Sequence, residues 1–147
     1  MRPIEGKCLC GRSSYRAEAD VVQTFNCHCT DCQRQTGSPF ASAISIADES
    51  FHAEGDIATF THSGGSGATI ARSFCRACGS PLFSTISART GLVYIKVGSL
   101  NDTSWVEPEI NIWCSSAQPW VAIDRTMPFS EYGFKFAQSP EPLPMPR

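Results

Sequence analysis

Long apolar runs are missing from this chain. No stretch approaches eighteen consecutive apolar residues, which excludes a hydrophobic membrane-spanning helix. The opening segment "MRPIEGKCLCG" has no apolar core of the kind a secretory signal needs, so a cytoplasmic location is expected. Charge of one sign is not concentrated anywhere: 12 Lys and Arg face 14 Asp and Glu, for a net charge of −2. Without a basic stripe, neither nucleic acid nor an anionic membrane surface is an expected partner. Histidine is scarce, with only His28, His52 and His62 available for proton transfer or metal ligation. No segment sustains a long helical period, and no internal repeat is visible.

What remains is a chain of 147 residues, 41% hydrophobic, long enough to bury the core of one domain. Short segments rich in β-branched and aromatic residues read as strands: 13–19, 40–46, 57–62, 68–74, 81–87, 92–98 and 109–114. Gly55-Asp56, "SGGSG" at 63–67, Thr90-Gly91 and Asn101-Asp102 supply turn chemistry between them. One short helix is expected through "CQRQT", capped by Thr30 or Asp31 and closed by Gly37. The fold class is therefore mainly β, a single domain over residues 1–137 with one or two short helical turns. Residues 138–147, "QSPEPLPMPR", carry proline at every second position from 140 and are expected to form a disordered tail.

Against these absences stands an abundance of cysteine, eight in all. With no secretory leader read, the thiols should stay reduced, and metal binding outranks a disulfide framework. Cys8 and Cys10 in "GKCLCG" and Cys75 and Cys78 in "FCRACGS" together offer the four thiolates of a closed tetrahedral zinc site. Gly11 and Gly79 each follow a pair directly, where the backbone must bend around a metal. Such a zinc would staple the N-terminal segment to the middle of the chain.

Cys27, Cys29 and Cys32 form a second set, one ligand short of closure, which is the pattern of a catalytic zinc with an exchangeable position. The expected helix places Cys32 in its first turn, where the partial positive charge favours thiolate. Other readings stay open. His28 or Cys114 can close the site, the trio can belong to the core, or the second zinc can be held weakly and be only partly occupied. Zinc with three thiolates is a blunted Lewis acid that suits a soft sulfur better than water. A fourth thiolate adds negative charge, so a nearby cation should help. Arg34, two residues after Cys32, is the first candidate for that support, while Arg12 and Arg76 flank the other set. Asp31 and the three histidines are the titratable groups available as acid or base. Phe25, Phe40, Trp113 and Trp120 can wall a pocket or pack the core.

"GKCLCG", "CHCTDCQRQTG" and "FCRACGSPLF", in this order, resemble the glutathione-dependent formaldehyde-activating enzyme family, also called the centromere-protein-V family. "VGSLND" at 97–102 and "PEINIWCSSAQPW" at 108–120 extend the resemblance over residues 4 to 133. Within the latter stretch, Asn111 stands where many relatives carry histidine. The resemblance implies an Mss4-like, or β-tent, fold of short antiparallel strands, stapled by a structural zinc on Cys8, Cys10, Cys75 and Cys78. It further implies a second, active-centre zinc on Cys27, Cys29 and Cys32, giving two zinc ions per chain. The implied activity is that of a carbon–sulfur lyase interconverting a thiol–aldehyde adduct, such as S-hydroxymethylglutathione, with glutathione and formaldehyde. The alternative is a non-catalytic zinc-binding module that holds a small thiol or a protein partner.

Overall fold

The computed structural model describes residues 1–134; the proline-rich segment 138–147 lies outside the described residues. Among the described residues, ten strands form two sheets. The smaller joins β1 (Arg2–Lys7), β2 (Ser13–Ala19) and β5 (His52–Gly55) in the order β1-β2-β5. The larger has the order β10-β3-β4-β9-β8-β7-β6. It comprises β3 (Val21–Cys27), β4 (Ala41–Ala47), β6 (Ile57–Ser63), β7 (Thr69–Cys75), β8 (Pro81–Ile86), β9 (Leu92–Lys96) and β10 (Ile110–Ile112). Every pairing is antiparallel except β10 with β3, which is parallel and corrects the expectation of a purely antiparallel domain. The one α-helix among the described residues, α1 (Thr30–Thr36), follows β3, and single 3₁₀ turns occupy Val97–Ser99 and Cys114–Ser116. Among the described residues no helix is long and apolar enough to cross a membrane.

The seven expected strands are all present, most within a residue or two of their bounds. The last two end early. The chain turns into 3₁₀ geometry after Lys96, and Trp113 sits at φ 57°, in the left-handed region. Three strands escaped the pattern. β1, "RPIEGK", carries proline and glycine, which depress strand propensity. β3, "VVQTFNC", has a register shift between Val21 and Gln23 that breaks its alternation. β5 is only four residues long.

The two faces of the large sheet carry different cores because side chains alternate along a strand. On β4, Ile44 and Ile46 face the small sheet and join Ile4, Tyr15, Ala17, Leu82, Val93 and Ile95. Each such aliphatic side chain, taken fully out of water, contributes roughly 1.5–3 kcal/mol. On the opposite face, Ala41 and Ala43 leave room for Phe25, Tyr94, Ile112, Trp113 and the side chains of Cys27, Cys29 and Cys32. Cys8 and Cys75 belong to the first core. The sheet thus separates the two cysteine sets.

Candidate metal centres

Cys8, Cys10, Cys75 and Cys78 converge, with their four sulfurs all within 4.8 Å of one another. The Cys8–Cys10 and Cys10–Cys75 sulfur separations are 3.6 Å and 3.7 Å. A tetrahedron of ~2.3 Å zinc–sulfur bonds has edges of about 3.8 Å, so the spacing fits zinc. Two tight turns deliver the four sulfurs. Gly11 donates to the carbonyl of Cys8 and Gly79 to that of Cys75, at φ of 79° and 80°, a conformation glycine adopts without strain. Ser80, which the cysteine spacing does not flag, ties the turns together. Its Oγ accepts the Leu9 N–H at 3.0 Å and lies 3.2 Å from Cys78 Sγ. Side-chain and backbone hydrogen bonds from Ser80 to Cys78 pull the Cys78 thiol down to about 5. On Cys8, burial is outweighed by the Ser13 N–H and by Cys10 and Cys75, so its thiol also falls.

The second group is Cys27, Cys29 and Cys32, again with all sulfurs within 4.8 Å, and all three residues are buried. Cys27 ends β3, opposite Ala41 of β4. Cys29 is the N-cap of α1 and accepts the N–H of Cys32 on its sulfur at 3.2 Å. The expected cap, Thr30 or Asp31, is therefore corrected by one or two residues: the Cys29 sulfur does the capping, and Thr30 opens the helix. Gly37 closes it in the left-handed conformation, as expected.

Ionisation is shared unequally across the trio. Hydrogen bonds from Cys27 and Cys29 hold the Cys32 thiol well below its ordinary range, and the charges of Lys96 and Arg72 add to this. The hydrogen bonds to Cys29 and Cys32, then burial, drive Cys27 upward. On Cys29 the bond to Cys27 pulls down, but Cys32 and burial outweigh it and raise the thiol to about 12. Three sulfurs this close ionise together only around a cation. The donor set is soft, buried and cation-demanding, and it fits zinc.

Neither alternative fourth ligand joins this group. His28 lies between two of the cysteines in sequence, but its Nε2 is 2.9 Å from Asn111 Oδ1 and its ring packs 5.0 Å from that of Phe40. Asn111 thus holds His28 from β10. Cys114 is buried, with its sulfur 3.6 Å from the carbonyl of Asn111.

The cation beside the trio is Arg72 on β7. Its Nη1 donates to Cys32 Sγ at 3.6 Å, while Nε donates to His62 Nε2 at 2.8 Å. Burial pulls the Arg72 pKa down, but the Cys32 charge and hydrogen bond reverse this and raise it. His62 Nδ1 stands 4.0 Å from Asp31 Oδ2, so two of the residues noted as acid or base candidates meet at the rim of the helix. His52 lies apart on β5, exposed and 4.0 Å from Glu54. Lys96 on β9 is also buried and donates to Ser84 Oγ at 3.4 Å. Arg34 is exposed in the last turn of α1. Arg72 and Lys96 were missed because strand pairing, not sequence proximity, brings them to the trio. Their signal was a lone cation at an inward position of an otherwise apolar strand, in "ATIARSF" and "LVYIKVG".

A cavity of ≈ 790 Å³ opens beside Cys8 of the four-sulfur group. Its walls include Lys7 and Cys8, Thr36 and Phe40 at the end of α1, Ala41 and Lys96. None of the trio lines it, but Ala41 is the register partner of Cys27. Phe25 and Trp113 pack in the core beside the trio, whereas Trp120 is exposed.

Comparison with known proteins gives a family match over residues 3–116, to the family described as glutathione-dependent formaldehyde-activating enzyme. Among solved structures, the chain is similar to a Rhodobacter sphaeroides protein determined as a Northeast Structural Genomics target. The two share 19% identity at a TM-score of 0.52, over 71% of this chain and 91% of the other. That likeness concerns the fold. No curated protein matches significantly.

Proposed function

The chain belongs to the glutathione-dependent formaldehyde-activating enzyme family, and on that footing we propose that it is a zinc-dependent carbon–sulfur lyase acting on a thiol–aldehyde adduct. S-hydroxymethylglutathione is the substrate the family name suggests. Cys8, Cys10, Cys75 and Cys78 would hold a structural zinc, and Cys27, Cys29 and Cys32 a second zinc at the active centre. When bound there, the metal supplies a soft electrophilic position for a sulfur atom.

The observation that carries this reading is the contrast between the two groups: four sulfurs in one, three in the other, with neither His28 nor Cys114 joining the three. The chain's own residues prepare the three-sulfur group. Buried packing from Phe25, Ile112 and Trp113 excludes water from one side. Arg72 sets a permanent positive charge against Cys32, held in place by its second hydrogen bond to His62. Gln33 anchors α1 by donating to the carbonyls of His28 and Ser116, and Gln118 donates to Gln33 in turn. The cavity beside Cys8 offers Lys7 and Lys96 to a substrate that carries carboxylates.

The test is formaldehyde release from hydroxymethyl adducts of glutathione and of smaller thiols, measured above the rapid uncatalysed exchange. Zinc-loaded protein should exceed background, and Cys32→Ser should not. Equal rates for the two across the thiol panel would reject the lyase reading. The same panel bears on the alternative, a non-catalytic module: saturable thiol binding without turnover would favour it.

A further inference from the structure

Strand register places a row of polar side chains on the face of the large sheet that carries the cysteine trio. Arg72 of β7 pairs with Ser84 of β8, and Ser84 pairs with Tyr94 of β9, two residues before Lys96. Arg72 is 4% exposed and Lys96 is 8% exposed. Among the described residues neither has a carboxylate within ion-pair distance. Arg72 is spent on Cys32 and on His62, an imidazole; Lys96 reaches only the Ser84 hydroxyl. Two buried cations without carboxylate partners are costly unless negative charge is supplied close by.

The trio supplies part of it. Three thiolates around a divalent ion carry a formal charge of about −1, one short of matching the two cations. Asp31, a carboxylate whose charge bears on Arg72, is directed at His62 at 4.0 Å, with its side chain 31% exposed and its charge correspondingly screened. A fourth ligand that arrives as an anion completes the balance; a neutral one leaves a buried positive charge over.

Resting on the zinc reading above, we infer that Arg72 and Lys96 are specificity-determining residues that make the three-cysteine centre take an anionic sulfur donor, a thiolate, in preference to a neutral ligand. The pair thereby favours the thiol product, bound as its thiolate, over water, imidazole or the neutral sulfur of an adduct. This selectivity is carried by two residues that are not metal ligands, so it can be removed with the ligand set intact.

The test uses the full chain loaded with cobalt(II), whose visible absorption reports the ligands of an open site. Metal content is measured first, and 2-mercaptoethanol and imidazole are then titrated separately. Arg72→Gln and Lys96→Gln should each weaken 2-mercaptoethanol binding at least tenfold and change imidazole binding less than threefold. Lys96→Arg, which keeps the charge, should restore thiol binding. Thiol affinity within twofold of wild type in both glutamine variants, or equal weakening toward both ligands, would overturn the inference and leave the metal centre standing. A wild-type chain that binds one cobalt and shows no spectral response to either ligand would overturn the zinc reading itself, and the inference with it.

Discussion

The sulfur of Cys29 accepts the backbone N–H of Cys32 at 3.2 Å, so one candidate metal ligand caps the helix that carries another. Helix start and ligand geometry are thereby a single feature. Serine at this position keeps a capping oxygen, although it is a poor match for a soft metal; alanine keeps neither. Cys29→Ser and Cys29→Ala should both lose one zinc per chain by metal analysis. In the metal-free state, Cys29→Ala should be less stable than Cys29→Ser by about 1 kcal/mol in urea unfolding.

The four-sulfur centre joins the segment after β1 to the turn after β7. Structural zinc contributes on the order of 10 kcal/mol of apparent binding free energy to folding in small domains. Truncating a buried aliphatic by one methyl, as in Ile44→Val, costs about 0.5–1.5 kcal/mol. Cys75→Ser, or removal of both metals by a strong chelator, should therefore lower the melting temperature far more than Ile44→Val does. Scanning calorimetry on the three samples checks the order.

Gly6 lies under the ring of Tyr15. A β-carbon there would overlap the Tyr15 ring and the Ser99 carbonyl, and the backbone member of that pair cannot move aside. Gly6→Ala should destabilise the protein by about 1–3 kcal/mol through overpacking. Alanine at Gly98, where an added β-carbon meets no atom within 4 Å, is the control and should cost well under 1 kcal/mol.

Tyr15 also sets an alkaline limit. Burial raises its phenol to about 12, against a partial lowering by the Ser99 hydrogen bond. The folded state therefore keeps a proton that the unfolded chain releases near pH 10. The stability contributed by the neutral phenol is intact below about pH 10 and is lost as pH rises toward about 12. Tyr15→Phe should be less stable at pH 8 by about 1 kcal/mol, for the lost bond to Ser99, and should fall less steeply between pH 10 and 12. Urea unfolding at several pH values reads both effects.

The cysteine partition was legible because metal ligands come in close local pairs whose spacing is itself the geometry. β2 was legible to the residue because "SSYRAEA" alternates cleanly between core and solvent. β3 was not, since its bulge breaks the alternation and its last residue is a candidate metal ligand. The N-cap was displaced because capping propensities favour oxygen, and here a sulfur takes that role. Arg72 was hidden for a different reason: it lies forty residues from Cys32 in sequence and meets it only after β7 has been placed in the sheet. Arg34, near in sequence, points the short helix's last turn toward solvent. Local chemistry could be read from the chain; the charges that surround it depended on register.

The most direct measurement is a zinc-edge anomalous diffraction map from crystals grown with zinc, with and without a small thiol. The expected map has two peaks per chain, one among Cys8, Cys10, Cys75 and Cys78, the other among Cys27, Cys29 and Cys32 with the added sulfur as its fourth neighbour. A single peak, or a second peak capped by His28 or Cys114 and unchanged by thiol, would contradict the account.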